Sequence, residues 1–210
     1  MKISTKSSSQ RTGRVTSNSQ TPTAIEECDS SGRMVISVFP TALGWMGLLG
    51  DNGQLVSVFI GRATENAVRA AAVKFTGSLD DRDWHPTVRR MLEGYAEGEI
   101  VDFSSVEIRL PQMSSFRQKI VNATRRLGYG ETVSYGELAR RAGHPRAVRA
   151  VGTVMSTNRF PILLPCHRVL ARGGKLGGYT SPGGTNLKQR MLDLEAQASG
   201  FPPNERRVYR

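Results

Sequence analysis

Cys166, His167 and Arg168 stand side by side at the end of an apolar run, Pro161-Ile162-Leu163-Leu164-Pro165. A free thiol has a pKa of about 8.5, so only a few per cent is thiolate at pH 7. A neighbouring base or cation enlarges that fraction, and lowering the pKa by about 3 units means roughly 4 kcal/mol of preferential thiolate stabilisation. A carboxylate behind the histidine would orient its ring and fix its tautomer. Neighbours on an extended strand point to opposite faces, so Cys166 and His167 need a bend or a bridging water to cooperate. The plainer reading is a buried thiol beside a surface histidine. Cys28 is the other of two cysteines, which excludes a disulfide scaffold and points to a reducing compartment. No cysteine or histidine lies near Cys28 and His85 alone cannot complete a ligand set, so no metal site is expected.

The charge surrounding this chemistry is uneven. Residues 1–108 carry 11 Lys/Arg and 13 Asp/Glu, a net −2, whereas residues 109–210 carry 18 and 5, a net +13. A wholly basic half is the footprint of a polyanion binder; a basic surface without a partner is the alternative. The 210 residues, with 38% hydrophobic and 22% charged, have globular composition. The longest uncharged apolar stretch, Met34 to Gly50, is broken by Pro40, Gly44 and Gly47, so no membrane-spanning helix is expected. Residues 1–25 have no apolar core, which argues against a cleavable secretory signal.

Several elements must position the cysteine. Residues 1–32 form an expected disordered tail, with eleven Ser/Thr and four Lys/Arg in the first 24 positions. An organelle-targeting role would need an amphipathic apolar face, which the tail lacks. Residues 33–110 read as a small α/β domain with no evident chemistry of its own. Val35, Ser37 and Phe39 alternate as in a strand. A second strand spans Gly44 to Gly50, Asp51-Asn52-Gly53 is a tight turn, and Gln54 to Ile60 is a third strand. Thr64 caps a helix running to about Phe75, with Val68, Ala71, Ala72 and Phe75 on one face. A second helix follows Pro86 with Val88, Met91, Leu92 and Tyr95 inward, and Val106, Ile108 and Leu110 alternate as one more strand.

Residues 111–200 change character, and residues 201–210 read as a flexible basic tail. Ser115 and Gln118 have capping-box spacing, Phe116, Ile120, Ala123 and Leu127 form an apolar stripe, and Gly128 ends that helix. Ser134 and Glu137 form another capping box for a helix from Tyr135 to about Ala142, closed by Gly143. After His144-Pro145 a third helix spans Arg146 to Met155, burying Ala147, Val151 and Val154. Two short helices around a tight turn resemble a helix-turn-helix. The third helix has a low surface at Ala147, Ala150 and Gly152, with Arg146, Arg149 and Arg159 around it and few base-reading side chains. It suits shape- and phosphate-led binding better than sequence reading. An ordinary helix packing contact is the alternative.

Pro165-Cys166-His167-Arg168-Val169, with the apolar run before it, resembles the active-site signature of the O6-alkylguanine-DNA alkyltransferases. Gly130 to Ala139 is similar to the first helix of that family's helix-turn-helix, and Arg146 to Gly152 to its recognition helix. Asn158 falls at its linking asparagine, Gly177-Gly178-Tyr179-Thr180 at its binding loop, and Leu187 to Glu195 at the helix that follows. The resemblance runs through residues 111–197 and is only compatible over 34–110. It implies an α+β protein with a ribonuclease-H-like α/β amino-terminal domain and a helical, winged-helix-like carboxy-terminal domain carrying the helix-turn-helix. It also implies irreversible, single-turnover transfer of an alkyl group from guanine O6 to Cys166. His167 would then be the base, acting through a water, and Glu195 would orient it. Tyr135 would drive nucleotide rotation and protonate the departing guanine. Arg149 would fill the vacated stack, with Arg146 and Ala150 on the same DNA-facing side, and Asn158 would tie the helix-turn-helix to the cysteine. Pro161, Val169, Tyr179 and Thr180 would line the substrate pocket.

The implied partner is double-stranded DNA containing O6-alkylguanine, bound through the minor groove by a monomer, with no cofactor, metal or membrane. Its place would be the cytoplasm and nucleoid of a prokaryote or the nucleus of a eukaryote. A base inside a duplex cannot present its O6-alkyl carbon to a protein thiolate, so it must leave the stack at a cost of a few kcal/mol. The thioether product is not readily hydrolysed, hence one turnover. Thr180 stands where many members have Ser or Ala, and Ser181-Pro182-Gly183-Gly184 resembles a slightly longer loop variant. The runner-up is a non-catalytic lesion-binding protein, which the presence of Cys166, His167 and Glu195 disfavours. A cysteine hydrolase would need an oxyanion hole that the sequence does not signal, and a transcription factor would need more base readers.

Overall fold

The computed structural model describes residues 34–200 together with Met1 and the backbone of Val208–Tyr209. The expectations for the two tails, for Cys28 and for Arg206, Arg207 and Arg210 lie outside the described residues. No helix among the described residues is long and apolar enough to cross a membrane.

Strands β1 (Met34–Phe39), β2 (Trp45–Asp51) and β3 (Gln54–Arg62) form an antiparallel meander. Its β2–β3 turn places Asn52 and Gly53 at φ 49° and 73°, the double positive φ that a two-residue hairpin demands. Helix α1 (Glu65–Thr76) is capped by Thr64, whose side chain accepts from the Ala67 N–H, and leads to β4 (Leu79–Asp81). β4 lies parallel to β1, giving the sheet order β3-β2-β1-β4. Val68 and Ala72 of α1 pack on Ile36, Leu49 and Val56. The helix comes so close at Gly47 that any Cβ there would overlap Val68 Cγ1. Phe75, expected inside, is instead exposed at the helix end, beneath the Arg159 guanidinium 4.7 Å from its ring centre. The strand expected over Val106 to Leu110 does not form: only a single bridge, Leu55 to Ile108, joins that segment to β3.

Helix α2 (Pro86–Ala96) starts on its proline and buries Val88, Leu92 and Tyr95. Helix α3 (Ser115–Arg125) is capped one residue earlier than expected, by Ser114, because Ser114 has the extended backbone that lets its hydroxyl accept from Arg117 N–H. It ends at Arg126, before Gly128. Short strand β5 (Thr132–Ser134) runs into α4 (Tyr135–Arg141), capped by Ser134 at Glu137 N–H. Glu137 does not complete the box; its carboxylate takes bonds from Arg140 and Arg141, which hold it down at about 2. Gly143, at φ 79°, turns the chain to α5 (Val148–Ser156). That helix starts two residues later than expected, leaving Arg146 in the turn, and buries Val151, Val154 and Met155 rather than Ala147. β6 (Val169–Leu170) and β7 (Val208–Tyr209) flank β5 in parallel, and α6 (Gly184–Ala198) comes between them in the chain. One continuous core runs from Phe39, Leu48 and Tyr95 to Ile120, Val133 and Met191, so both halves pack on each other.

Candidate active site

The apolar run before Cys166 is forced into an unusual path. Ile162 sits at φ 73°, a left-handed conformation that costs a β-branched residue about 1–3 kcal/mol. Leu164 N–H closes the turn on Phe160 O at 2.7 Å. Cys166 to Arg168 then form a single 3₁₀ turn, with Arg168 N–H bonding Pro165 O. This turn is the bend that a strand would have lacked. Asn158 locks the segment from the end of α5: its Oδ1 accepts from Phe160 N–H, and its Nδ2 donates to Leu164 O at 2.8 Å and to Cys166 Sγ at 3.1 Å. Arg159, next in sequence, gives its carbonyl to Val58 N–H and Ser57 Oγ of β3, so the amino-terminal sheet holds the same turn.

His167 is fully buried, its Nε2 2.7 Å from Glu195 Oε1 on α6. Glu195 also accepts from Arg168 Nε at 2.9 Å, from Gly130 N–H at 3.1 Å and from the Tyr95 hydroxyl at 2.8 Å. Burial pushes the Glu195 carboxyl up, but the charges and bonds of His167 and Arg168 outweigh it and hold it well below the usual carboxylate range. Burial lowers His167 against the pull of Glu195, so the ring rests neutral. Its other nitrogen, Nδ1, is buried with no hydrogen-bond partner.

The thiol departs from expectation. Burial raises Cys166, and the Asn158 bond, the Lys188 charge and the nearby Tyr179 hydroxyl only partly oppose it. The resting sulfur is a thiol rather than a thiolate, because the closed site costs an anion more than its neighbours return. Lys188 is a residue the sequence reading missed. It is fully buried on α6, donates to Val169 O at 2.7 Å and Leu176 O at 2.5 Å, and is pushed down to about 8 by burial. Seven residues separate it from Glu195, two helical turns on one face; that spacing was the available signal. Tyr95 is the second residue missed. The amino-terminal half, expected to hold no chemistry, supplies this hydroxyl directly to the histidine–carboxylate pair. Helical periodicity put its ring inward but said nothing of its oxygen.

Among the expected site residues, Cys166, His167, Glu195 and Asn158 converge. Tyr135, first in α4, is half-buried and raised above the usual phenol value chiefly by that burial, and its ring edge lies against the Gly177 loop. The Tyr179 hydroxyl is buried close to the sulfur without completing a hydrogen bond. Thr180 is exposed and donates to Ser156 O at 3.2 Å, tying the loop to the end of α5. Pro161 and Val169 are buried in the core around the turn. Arg149 and Ala150 stand exposed on α5 and Arg146 in the turn before it. Among the described residues no cluster of three His, Cys, Asp or Glu side chains could hold a metal ion.

A buried cysteine next to a buried histidine–carboxylate pair, on one core with the paired helices α4 and α5, defines a class: a protein with a single-cysteine site carried beside a helix-turn-helix-like unit. Residues 115–197 match the family described as 6-O-methylguanine DNA methyltransferase, DNA binding domain. A methylated-DNA–protein-cysteine methyltransferase of Methanosarcina acetivorans is 38% identical over 118 residues, 56% of this chain and 72% of the relative. One from Mycobacterium tuberculosis is 44% identical over 121 residues, 58% of this chain and 65% of the relative. The crystal structure of Mycobacterium tuberculosis OGT in complex with DNA superposes with a TM-score of 0.64 at 32% identity, over 80% of this chain and 95% of that one. The chain belongs to the methylated-DNA–protein-cysteine methyltransferase family.

Proposed function

We propose that this protein repairs alkylated DNA by moving the alkyl group from guanine O6 onto Cys166, irreversibly and once per chain. The observation that carries the reading is Cys166 Sγ held by Asn158 beside a buried His167–Glu195 pair, on one core with α4 and α5. Helix α5 enters the minor groove of duplex DNA as part of a monomer. Its small residues Ala150 and Gly152 permit close approach, while Arg146 meets phosphate. Tyr135 crowds the target phosphate, the nucleotide rotates out, and Arg149 takes its place in the stack. Pro161, Val169, Tyr179 and Thr180 shape the pocket that receives it. The sheet order β3-β2-β1-β4 supports a ribonuclease-H-like amino-terminal unit, and α4–α5 beside the β5–β6 pair a winged-helix-like one. The protein works wherever the cell keeps its duplex DNA.

With Nε2 bound to Glu195, His167 keeps Nδ1 free to accept the thiol proton, through a water. The sulfur then attacks the saturated alkyl carbon; the C–S bond forms as the C–O6 bond breaks. The electron pair passes into guanine, which takes a proton from Tyr135. Imidazolium and tyrosinate regain neutrality by proton exchange through solvent. Burial keeps Tyr135 protonated until that moment.

Intact-protein and peptide mass spectrometry after incubation with a duplex carrying one O6-methylguanine tests the proposal. One methyl on the Cys166 peptide, at one equivalent and no more, is the expected result. Cys166→Ala should bind the duplex and gain nothing. Tight lesion binding by the unaltered protein with no mass change would overturn catalysis in favour of recognition alone.

A further inference from the structure

The geometry points to Tyr95 as a positioning residue for the transfer: its hydroxyl, brought from the amino-terminal half, fixes which nitrogen of His167 stays free. The inference rests on the alkyl-transfer reading above. Tyr95 lies on α2 with no exposed surface, 72 residues from His167 and 100 from Glu195 in sequence. Its hydroxyl is 2.8 Å from Glu195 Oε1 and 3.3 Å from His167 Nε2, and Oε1 and Nε2 are themselves 2.7 Å apart. The three atoms therefore form a closed triangle that only certain proton placements satisfy.

An ionised carboxylate only accepts, so every neighbour of Glu195 must donate. Arg168 and Gly130 N–H do so. The Tyr95 hydroxyl has a single proton, and at 2.8 Å from an anionic oxygen it is committed there. Its lone pairs then face Nε2. If Nε2 carried a lone pair, that pair would oppose both the carboxylate oxygen and the phenol oxygen. A proton on Nε2 satisfies both at once. Nδ1 is then the bare nitrogen, and it is the nitrogen of the His167 ring that has no hydrogen-bond partner. Without the hydroxyl, the opposite tautomer meets one lone pair fewer. Glu195 also loses a donor that spreads its charge, so it pulls His167 harder toward the imidazolium.

The groups that bear on His167 are Glu195 and Lys188 from α6, Arg168 beside it and Tyr95 from α2, while Tyr129, from the loop before β5, packs on Tyr95 and Arg168. Only the Tyr95 hydroxyl is at once fully buried, neutral and shared between His167 and Glu195. Packing does not account for the oxygen. The Tyr95 ring stands edge-on to Phe103, Tyr129 and His167 at 6.1, 6.1 and 6.3 Å, contacts that a phenylalanine would keep.

Tyr95→Phe is the test, read by single-turnover rate against pH on an O6-methylguanine duplex and by ¹⁵N NMR of the three histidines. The unaltered protein should show His167 protonated at Nε2. The variant should bind duplex unchanged, react about five- to tenfold more slowly at pH 7, the worth of one typical hydrogen bond, and move the acid limb of its profile to higher pH. Leu92→Ala, on the same helix and fully buried, should lower stability and leave the limb in place. A proton on Nδ1 in the unaltered protein would overturn the inference. So would a Tyr95→Phe profile superposable on the original, or an equal limb shift in Leu92→Ala. If the unaltered protein transfers nothing, the alkyl-transfer reading falls, and the NMR result still decides what Tyr95 does to His167.

Discussion

Replacing Glu195 by glutamine changes almost no volume and removes one charge at the point where the two halves meet. Arg168 would be left 6% exposed with its carboxylate partner gone, and the new amide NH₂ would face donors from Arg168, Tyr95, His167 or Gly130. Breaking a buried ion pair from one side costs about 3–5 kcal/mol. In a chain of this size each kcal/mol moves the melting point by about 2–4 °C, so the variant should melt about 6–20 °C lower. Urea unfolding across pH separates this charge effect from a general loss of packing. The Glu195 carboxyl is held well below its ordinary value, so its contribution is complete above about pH 4.3 and is lost as pH falls through the folded value. His167, pushed down by burial, lowers stability as pH drops below about 6.5, and more so once Glu195 no longer pulls it back. The gap between the two proteins should therefore widen slightly below pH 6.5 and close below about pH 4. A loss smaller than about 1 kcal/mol at pH 7, or a gap that persists unchanged to pH 3, would refute the account of Glu195 as the charge that seals the core.

Arg149→Ala should slow repair of duplex by about tenfold or more, the loss of about 1.4 kcal/mol from a flipping step that costs a few. It should leave reaction with free O6-benzylguanine nearly unchanged; equal slowing of both substrates in a single-turnover assay would remove the stacking role. Lys188→Met strips the donor from two buried carbonyls, costing about 1–3 kcal/mol for each acceptor left unpaired, and removes a cation whose charge favours the thiolate. Transfer should fall at least about tenfold at pH 7 and recover part of that loss at pH 9, where more thiolate forms unaided. A pH-independent deficit would make Lys188 a purely structural strut.

The chemistry was legible where residues were adjacent or separated by helical turns, and illegible where the fold alone brought them together. Cys166, His167, Asn158 and Glu195 could be named from their motifs, and the caps at Thr64 and Ser134 from hydroxyls before helical runs. The cap of α3 slipped by one because Ser114 and Ser115 offer the same hydroxyl, and only backbone conformation chooses between them. Val106 to Leu110 alternated as a strand does, yet the segment gains only one bridge to β3, because alternation specifies a buried face and not a continuous ladder. Tyr95 looked like any aromatic on the inner face of an amphipathic helix. Its partners lie about a hundred residues away, a distance over which periodicity carries no information.

The burial of Cys166 has a consequence for time rather than for rate. A reagent that is used once must wait unspoiled until its substrate arrives. Oxidants attack the thiolate, and they attack it where they can reach it. At 7% exposure and with its proton held on by burial, Cys166 offers them neither the charge nor the access. Beneath Asn158 the sulfur ages slowly, and its reactivity is released only when a base and an alkyl group are presented to it together.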